Sequence, residues 1–259
     1  MRSRLADKWV LITGASSGFG AAAAAAFGAE GARVLLGARR VERLAEAGQQ
    51  ALTAGAAAAH WHALDVASTA SVEAFVAWVR GLTDRVDVLV NNAGGAHGLE
   101  PIAEGRDGDW EAMMQANVVG LLRVIRAVLP LMPRDAGATI LNLGSIAGRT
   151  PYENGAAYCG AKAAELAITR SLRLELYGTG IRVASLDPGL AETEFSRVRF
   201  KGDDERARKV YAGTRPLVAE DVAEAMVWIA GRPPHVCIDE LVIKPTDQAA
   251  IHKVYRRNG

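Results

Sequence analysis

Short apolar runs rich in Val, Leu and Ile alternate along this chain with longer segments of helical periodicity, and this alternation restricts the possible folds. Runs at 8–13, 33–38, 86–91 and 138–144 are almost continuously apolar, as in strands buried on both faces of a parallel sheet. Parallel strands joined through helices need right-handed crossovers. The sequence therefore predicts an α/β fold with a doubly wound, Rossmann-type parallel sheet.

The predicted elements fill a single domain, residues 1–259. Three further strands are predicted at 59–64, 181–188 and 239–245, and helices at 18–30, 41–53, 69–81, 109–131, 156–177 and 220–231. The segment 190–219 is long, charged and irregular, and it leaves the sheet at the carboxyl edge, where ligands bind. We predict that this segment is a substrate lid.

Charge and cysteine content narrow the class of protein. The formal net charge is +1, which gives no basic surface for nucleic acid and little attraction to anionic membranes. The apolar run 21–27 is too short to cross a bilayer. Two cysteines indicate no disulfide framework, so we expect a reducing, cytoplasmic location.

The segment TGASSGFG, residues 13–20, follows the first predicted strand and opens a helix. Gly14 permits a tight turn, while Gly18 and Gly20 permit close approach of the backbone to a diphosphate at the helix N-terminus. In this context the segment predicts dinucleotide binding rather than a merely structural turn. The predicted contacts are Gly14, Ala15, Ser16, Ser17, Gly18, Phe19 and Gly20.

The end of the second strand indicates which dinucleotide binds. An NAD site commonly has an acidic residue here for the ribose 2′-hydroxyl, but this chain has Arg39 and Arg40. Arginine binds a 2′-phosphate through paired hydrogen bonds. The arginines therefore favour NADP, the alternative being two solvated side chains at a helix start.

Two more strand ends are candidate cofactor contacts. Asp65 and Val66 follow the third strand and could line an adenine pocket, although Asp65 could equally cap a helix. Asn91 ends the fourth strand, and Ala93 and Gly94 after it leave room for a cofactor against the backbone, although this segment could also be only a turn.

Four polar residues form a candidate catalytic set: Asn117, Ser145, Tyr158 and Lys162. Tyr158 and Lys162 are four residues apart on one helix, so they share a face. A free tyrosine ionises near pH 10, but a neighbouring ammonium or an oxidised nicotinamide favours the phenolate. The pair could then act as a general base, whereas Tyr-x3-Lys alone would indicate only an ordinary helix.

Together these motifs resemble the short-chain dehydrogenase/reductase family over essentially the whole chain. The segments TGASSGFG, NNAG, YCGAK and DPGLAET occur in the family's order and spacing. The resemblance implies seven strands in the order 3-2-1-4-5-6-7. It implies that Ser145 orients the substrate oxygen, Tyr158 transfers the proton, and Lys162 holds the nicotinamide ribose. Asn117 would anchor a water between Lys162 and solvent. Contacts near the nicotinamide would come from Pro188, Gly189, Leu190 and Thr193.

The segment PGLAETEFSRVRFKGDDERARKVY gives a narrower resemblance, to the NADP-dependent 3-hydroxy acid dehydrogenases, also called serine 3-dehydrogenases. In that subgroup the residues that match Arg39 and Arg40 hold the 2′-phosphate. A basic residue just before the second glycine, another family signal for NADP, is replaced here by Ser17. The resemblance implies oxidation of L-serine, L-allo-threonine or 3-hydroxyisobutyrate.

The sequence leaves alternative functions open. The segment KPTDQAA resembles members that reduce aldehydes or ketones without a carboxylate, and a non-catalytic dinucleotide sensor is a further possibility. A substrate carboxylate would need a cation, for which Arg149, Arg197 and Arg199 are candidates. His60 and His62 are interpreted as packing or surface residues, so no metal site is predicted. The resemblance also implies a homotetramer.

Overall fold

The structure is a computed structural model that describes residues 3–134 and 136–257, so residues 1, 2, 135, 258 and 259 of the predicted domain lie outside the described part. Within that part, seven parallel strands form one sheet in the order β3-β2-β1-β4-β5-β6-β7, which confirms the predicted fold. The strands are β1 (Trp9–Thr13), β2 (Arg33–Ala38), β3 (Ala58–Ala63), β4 (Val88–Asn91), β5 (Thr139–Leu143), β6 (Arg182–Pro188) and β7 (Glu240–Ile243).

Helices cover both faces of the sheet. They are α1 (Gly18–Ala29), α2 (Val41–Ala54), α3 (Thr69–Arg80), α4 (Asp107–Met114), α5 (Gly120–Val128), α6 (Ala156–Glu175), α7 (Glu194–Arg199), α8 (Asp204–Tyr211) and α9 (Ala219–Ala230). Short 3₁₀ turns span Ile102–Glu104, Leu129–Leu131 and Ile146–Gly148, and a small antiparallel hairpin pairs β8 (Gln248–Ala250) with β9 (Lys253–Val254).

Side chains that alternate along β1 separate the core into two layers. Val10 and Ile12 pack with α1, α2 and α9 on one face, whereas Leu11 packs with α3, α5 and α6 on the other. All three side chains are fully buried. Burial on both faces explains why the central strands are continuously apolar in sequence.

The predicted helix 109–131 is interrupted, which corrects the sequence prediction. A π-helical turn, Gln115–Val119, separates α4 from α5, and a 3₁₀ turn follows α5. Asn117 lies in the π turn, with its amide Nδ2 donating to the carbonyls of Met113 (2.8 Å) and Gly95 (2.9 Å). Such single-turn bulges often occur at functional sites.

The same run, Asp107–Leu131, is long and apolar enough to cross a membrane by length and composition alone. The apolar side chains on its inner face nevertheless lie in the interior of the domain, whereas Met114 and Leu122 are exposed. Those buried within the run are Met113, Val118, Leu121, Val124, Ile125, Val128 and Leu131. These contacts are the ones that a core helix of this fold makes.

The prediction that residues 190–219 are irregular is wrong, because α7 and α8 lie within this segment. The hydroxyl of Thr193 accepts from the Phe195 amide (3.2 Å) at the start of α7, and the Asp203 carboxylate accepts from the Arg206 amide (2.9 Å) at the start of α8. Both are ordinary N-cap residues. The segment is therefore a short helical pair placed over the carboxyl edge of the sheet.

Candidate active site

The glycine turn after β1 has the geometry that its sequence predicts. Gly14 (φ +66°) and Gly18 (φ +52°) adopt left-handed conformations that favour glycine. Side-chain amide Nδ2 of Asn92 donates to the carbonyls of Thr13 (2.9 Å) and Gly14 (3.1 Å) and so fixes the turn. A Cβ at Gly20 would lie only 2.5 Å from that nitrogen. Asn92 is a site residue that the sequence analysis missed, although NNAG contains it.

Arg40 lies directly against the glycine turn. Its Nη2 donates to the hydroxyl of Ser17 at 2.7 Å, and its Nε and Nη2 both approach the hydroxyl of Ser16. The same guanidinium donates from Nη1 to Glu194 (3.1 Å) at the start of α7. Arg39 is exposed at the end of β2. The structure thus separates the two arginines that the sequence treats as a pair.

Arg43, in the first turn of α2, is a second basic residue that the sequence analysis missed. Its Nη1 donates to Oε1 of Glu194 at 2.5 Å, while Arg40 binds Oε2 of the same carboxylate. The bonds from Arg43 and then Arg40 lower the pKa of Glu194. A carboxylate held between two guanidinium groups marks a place where phosphate oxygens also fit. The sequence signal was the i, i+3 spacing of Arg40 and Arg43.

Other predicted cofactor residues lie nearby with defined contacts. The carboxylate of Asp65 accepts from the Ala67 amide (3.0 Å) in the turn before α3, and buried Val66 packs against Gly120. Asn91 donates from Nδ2 to Asn142 (2.9 Å), so its side chain faces β5. Its Oδ1 is buried without a hydrogen-bond partner in the described part of the chain.

The segment after β6 brings the start of α7 to the glycine turn. The Gly189 amide donates to Ile243 (2.7 Å), and the Leu190 amide donates to the side chain of Gln248 (2.7 Å). A Cβ placed on Gly18 would lie 3.5 Å from Cβ of Thr193. The predicted residues after Pro188 therefore border the same cleft as the turn.

The four candidate catalytic residues converge beside this cleft. Asn117 is 2% exposed, and its Oδ1 accepts from the Gly95 amide at 3.1 Å. The Ser145 hydroxyl accepts from the Ala147 amide (3.1 Å) at the start of a 3₁₀ turn. That turn packs tightly on α6, since a Cβ at Gly148 would lie 2.6 Å from the carbonyl of Lys162.

Tyr158 and Lys162 share the buried face of α6. The ring of Tyr158 packs against that of Phe195, with the ring planes inclined at 57° and the centroids 5.5 Å apart. Nζ of Lys162 donates to the carbonyl of Leu143 (2.7 Å) and to the carboxylate of Glu165 (2.7 Å). Burial lowers the pKa of Lys162, but Glu165, together with the charges of Tyr158 and Asp187, more than offsets this effect, so the pKa of Lys162 is raised.

The three candidate arginines have different surroundings. Arg149 binds Asp187 (Nε–Oδ2 2.6 Å) and Glu240 (Nη2–Oε2 2.6 Å), so its guanidinium is already neutralised by two carboxylates. The structure therefore argues against the prediction that Arg149 holds a substrate anion. Arg197 is exposed and pairs with Asp204 at 2.9 Å.

Arg199 is the arginine that faces the cleft. Its guanidinium carbon lies 5.7 Å from the ring centroid of Tyr158 and 5.5 Å from that of Tyr152. Its Nε donates to the carbonyl of Gly98 (2.9 Å). Burial raises the pKa of Tyr152, an effect that the charge of Arg199 partly opposes. Beside Tyr158, the cleft is lined by His97, Trp110, Met113, Asn154, Ala157 and Arg199.

The two histidines of β3 pack against aromatic rings. The ring of His60 lies 6.1 Å from that of Trp9, and the ring of His62 lies 5.2 Å from that of Trp78. Across residues 3–134 and 136–257, no group of three or more His, Cys, Asp or Glu side chains is placed to hold a metal ion.

The site geometry fits a phosphorylated dinucleotide. Glycines without room for a Cβ give the backbone close access at the N-terminus of α1, and the guanidinium pair of Arg40 and Arg43 surrounds a position already taken by an anionic group. A Cβ at Gly94 would lie against Oδ1 of Asn117 and 4.0 Å from Nζ of Lys162, so both side chains lie beside the loop after β4. The arrangement suits proton transfer beside a bound cofactor.

Comparison with known proteins gives three closely similar relatives. NADP-dependent 3-hydroxy acid dehydrogenase YdfG of Salmonella typhi is 43% identical over 245 residues, which cover 93% of this chain and 96% of the relative. Sulfoacetaldehyde reductase of Chromohalobacter salexigens is 46% identical over 241 residues, covering 93% and 94%. The closed form of serine dehydrogenase complexed with NADP+ is 39% identical, has a TM-score of 0.88, and covers 96% of this chain and 100% of its own.

The sequence profile described as short chain dehydrogenase matches residues 8–204, which include the glycine turn, Asn117, Ser145, Tyr158 and Lys162. The match covers most of the sheet. Together with the long, closely similar relatives, it shows that the chain belongs to the short-chain dehydrogenase family.

Proposed function

We propose that this enzyme interconverts a 3-hydroxy acid, of the L-serine, L-allo-threonine or 3-hydroxyisobutyrate type, and its 3-oxo acid. The chain is an NADP-dependent oxidoreductase acting on CH–OH groups, in keeping with its family and with its NADP-dependent relatives. The substrate class and the residue roles are the new parts of the proposal.

The proposed substrate class rests on the position of Arg199. Its guanidinium stacks 5.7 Å from the ring of Tyr158, so an anionic group bound there would leave the adjacent carbinol within reach of the tyrosine hydroxyl. Unlike Arg149, it has no carboxylate partner among the described residues. A substrate whose carboxylate is separated from the reacting carbon by a single carbon, as in a 3-hydroxy acid, fits this arrangement.

In the oxidative direction, Tyr158 accepts the proton of the substrate hydroxyl. The hydroxyl of Ser145 orients the reacting oxygen, and the ammonium of Lys162 stabilises the phenolate. Asn117, whose side chain is tied to the backbone of Gly95, anchors a water that connects Lys162 to solvent. NADP, when bound at the glycine turn, supplies the hydride acceptor.

The helical pair of residues 190–219 supports a lid role. Arg199, at the end of α7, is held to Gly98 across the cleft, and the Gly98 amide donates back to the Arg199 carbonyl at 3.0 Å. Lys201 also pairs with Asp109 of α4 at 2.7 Å. These contacts close the segment over Tyr158, which restricts the access of water to the site.

Turnover of a substrate panel with NADP and NAD tests the reaction. We expect oxidation of L-serine or 3-hydroxyisobutyrate with NADP, and a loss of about 100-fold or more in kcat for Tyr158→Phe. Near-normal turnover by this variant would contradict the role of Tyr158. Tight NADPH binding without turnover of any carbonyl compound would instead indicate a dinucleotide sensor.

Arg199→Met tests the substrate contact, and Arg197→Met is a matched control from the same helix. Loss of a charge-assisted contact should raise KM for the hydroxy acid on the order of tenfold for Arg199→Met. The control should stay within about twofold, because Arg197 is exposed. Equal effects of the two substitutions on KM would contradict the proposal that Arg199 contacts the substrate.

A second candidate function is reduction of an aldehyde or ketone that lacks a carboxylate. The relative named sulfoacetaldehyde reductase, at 46% identity, favours it. A sulfonate is also an anion that an arginine would bind, so Arg199 serves either substrate. NADPH oxidation with sulfoacetaldehyde, compared with uncharged aldehydes and with the hydroxy acids, separates the two candidates.

Assembly and location are proposed from the surface and the composition of the chain. Several apolar side chains are exposed and would suit subunit contacts. Among them are Leu122, Leu174, Tyr177, Trp228 and Val242. We infer a cytoplasmic homotetramer that binds no nucleic acid or membrane. Light scattering that gives the mass of one chain would contradict the tetramer.

A further inference from the structure

The buried face of α6 contains an acidic residue that the proposed reaction does not use. Glu165 follows Lys162 by three residues, and its Oε2 lies 2.7 Å from Nζ of that lysine. The two side chains are only 4% and 9% exposed. A buried carboxylate is costly unless it is paired, so its position beside the proposed catalytic lysine needs an explanation.

The carboxylate controls how the ammonium of Lys162 uses its donors. A lysine ammonium has three N–H groups. One donates to the carbonyl of Leu143 at 2.7 Å and another donates to Glu165. A single N–H is left for Tyr158 or a cofactor hydroxyl. Glu165 therefore fixes both the position of Nζ and the direction of its remaining donor.

Several ionisable groups around Glu165 and Lys162 influence this pair. Tyr158 lies on the same helix, and Asp187 lies on β6, where it accepts from Ser185 at 2.6 Å. Arg149, from the loop after β5, neutralises Asp187 and also binds Glu240 on β7.

Burial raises the pKa of Glu165 to about 7, since the charge of Lys162 only partly offsets it. The charge of Asp187 contributes to this increase. Glu165 consequently exchanges its proton within the range in which such an enzyme would work. At low pH the ammonium of Lys162 stands beside a neutral carboxyl, and at high pH it stands beside a carboxylate.

We propose that Glu165 is a positioning residue that sets, through the charge and orientation of Lys162, the pH at which Tyr158 becomes a base. The inference rests on the roles proposed above for Tyr158 and Lys162. When Glu165 is ionised, its charge cancels part of the field that the ammonium exerts on the phenolate. When Glu165 is neutral, the whole field acts on the phenolate.

Glu165→Gln keeps the size of the side chain and removes its charge. We expect the rising limb of kcat/KM for alcohol oxidation to move to lower pH by about one unit. Glu175→Gln, on the exposed face of the same helix, is the matched control and should leave the profile unchanged. If Glu165 had a purely structural role, the substitution would lower activity without shifting the rising limb of the pH profile.

A second measurement needs no cofactor or turnover. Tyrosinate absorbance near 295 nm, titrated in the cofactor-free protein, gives the ionisation of Tyr158 as the difference from Tyr158→Phe. Glu165→Gln should move this titration in the same direction as the kinetic limb. An unmoved titration and an unmoved profile in a folded variant would overturn the inference, and Glu165→Met provides an uncharged alternative should the glutamine variant not fold.

The outcomes separate this inference from the proposed function. If Tyr158→Phe is inactive and Glu165→Gln shows no shift, only the role of Glu165 fails. If Tyr158→Phe keeps normal turnover, the proposed mechanism fails whatever Glu165→Gln does.

Discussion

Arg43 shows at the residue scale how cofactor selectivity depends on a side chain outside the recognised motif. It shares Glu194 with Arg40, whereas Arg39 points to solvent. We expect Arg43→Ala to weaken NADP binding on the order of tenfold and to leave NAD binding almost unchanged, because only NADP carries the 2′-phosphate. Arg39→Ala is the matched control.

Fluorescence titration with NADPH and NADH at fixed salt measures both affinities for each variant. If Arg39→Ala had the larger effect, the 2′-phosphate would bind on the exposed side of the strand end. If NADH and NADPH weakened equally, Arg43 would act on the fold of the turn and not on the phosphate.

Residues were predictable from sequence where a local backbone requirement fixed them. The turn at Gly14 follows from the glycine motif, and the shared face of Tyr158 and Lys162 follows from their spacing, whereas the roles of these residues stay predictions from the family resemblance. Glu165 and Asn92 were missed because their roles depend on partners: a lysine ammonium in one case and the carbonyls of a distant turn in the other.

At the scale of elements, α7 is joined to the cofactor arginines by its first residue, Glu194. A 2′-phosphate and this carboxylate would compete for Arg40 and Arg43. We therefore expect Glu194→Gln to tighten NADP binding about two- to fivefold, a modest effect because all three side chains are more than a third exposed. NAD binding should not change.

Isothermal titration at low and high salt measures this effect, with Glu192→Gln as a control from the same segment. The gain should shrink at high salt because it is electrostatic. Weaker NADP binding by Glu194→Gln would indicate instead that the carboxylate orders the arginines for the phosphate.

Burial on both faces gives the central strands continuous apolar runs, whereas β3 and β7 are only partly buried. The seven strands of the main sheet were predicted to within two residues at either end. The interruptions of the helices were not predicted. The π turn at Gln115–Val119 accompanies hydrogen bonds of Asn117 to Gly95, a residue in another segment of the chain. The helices α7 and α8 carry few apolar residues, so periodicity did not show them, and the sequence analysis did not recognise Thr193 and Asp203 as N-cap residues.

For the whole molecule, the order of the strands explains why distant motifs form one site. Parallel strands end at the same edge, so the segments after β1, β2, β4, β5 and β6 meet there. Sequence analysis gave this meeting point correctly. It could not give the ion pairs that hold the edge together, because Arg149, Asp187 and Glu240 are far apart along the chain.

Glu240 links three parts of the domain. From β7, its carboxylate accepts from Arg170 on α6 (2.7 Å) and from Arg149 in the loop after β5 (2.6 Å). The bond from Arg170, followed by that from Arg149, lowers the pKa of Glu240 to about 2 from an ordinary value near 4.5. A carboxyl with a lowered pKa stabilises the fold above its unfolded value, and this contribution is lost as the pH falls.

Glu240→Gln should therefore lower the free energy of unfolding by about 1–2 kcal/mol at pH 7, since the exposure of Arg170 screens part of the full linkage. The deficit should shrink as the pH falls from about 4.5 toward about 2, where the wild-type carboxyl takes up a proton. Urea unfolding at pH 7 and pH 3 measures this deficit in the free energy of unfolding, with Glu175→Gln as the exposed control. A deficit of equal size at both pH values would mean that Glu240 stabilises the domain through packing, because a contribution from its charge has to shrink once the pH falls below about 4.5.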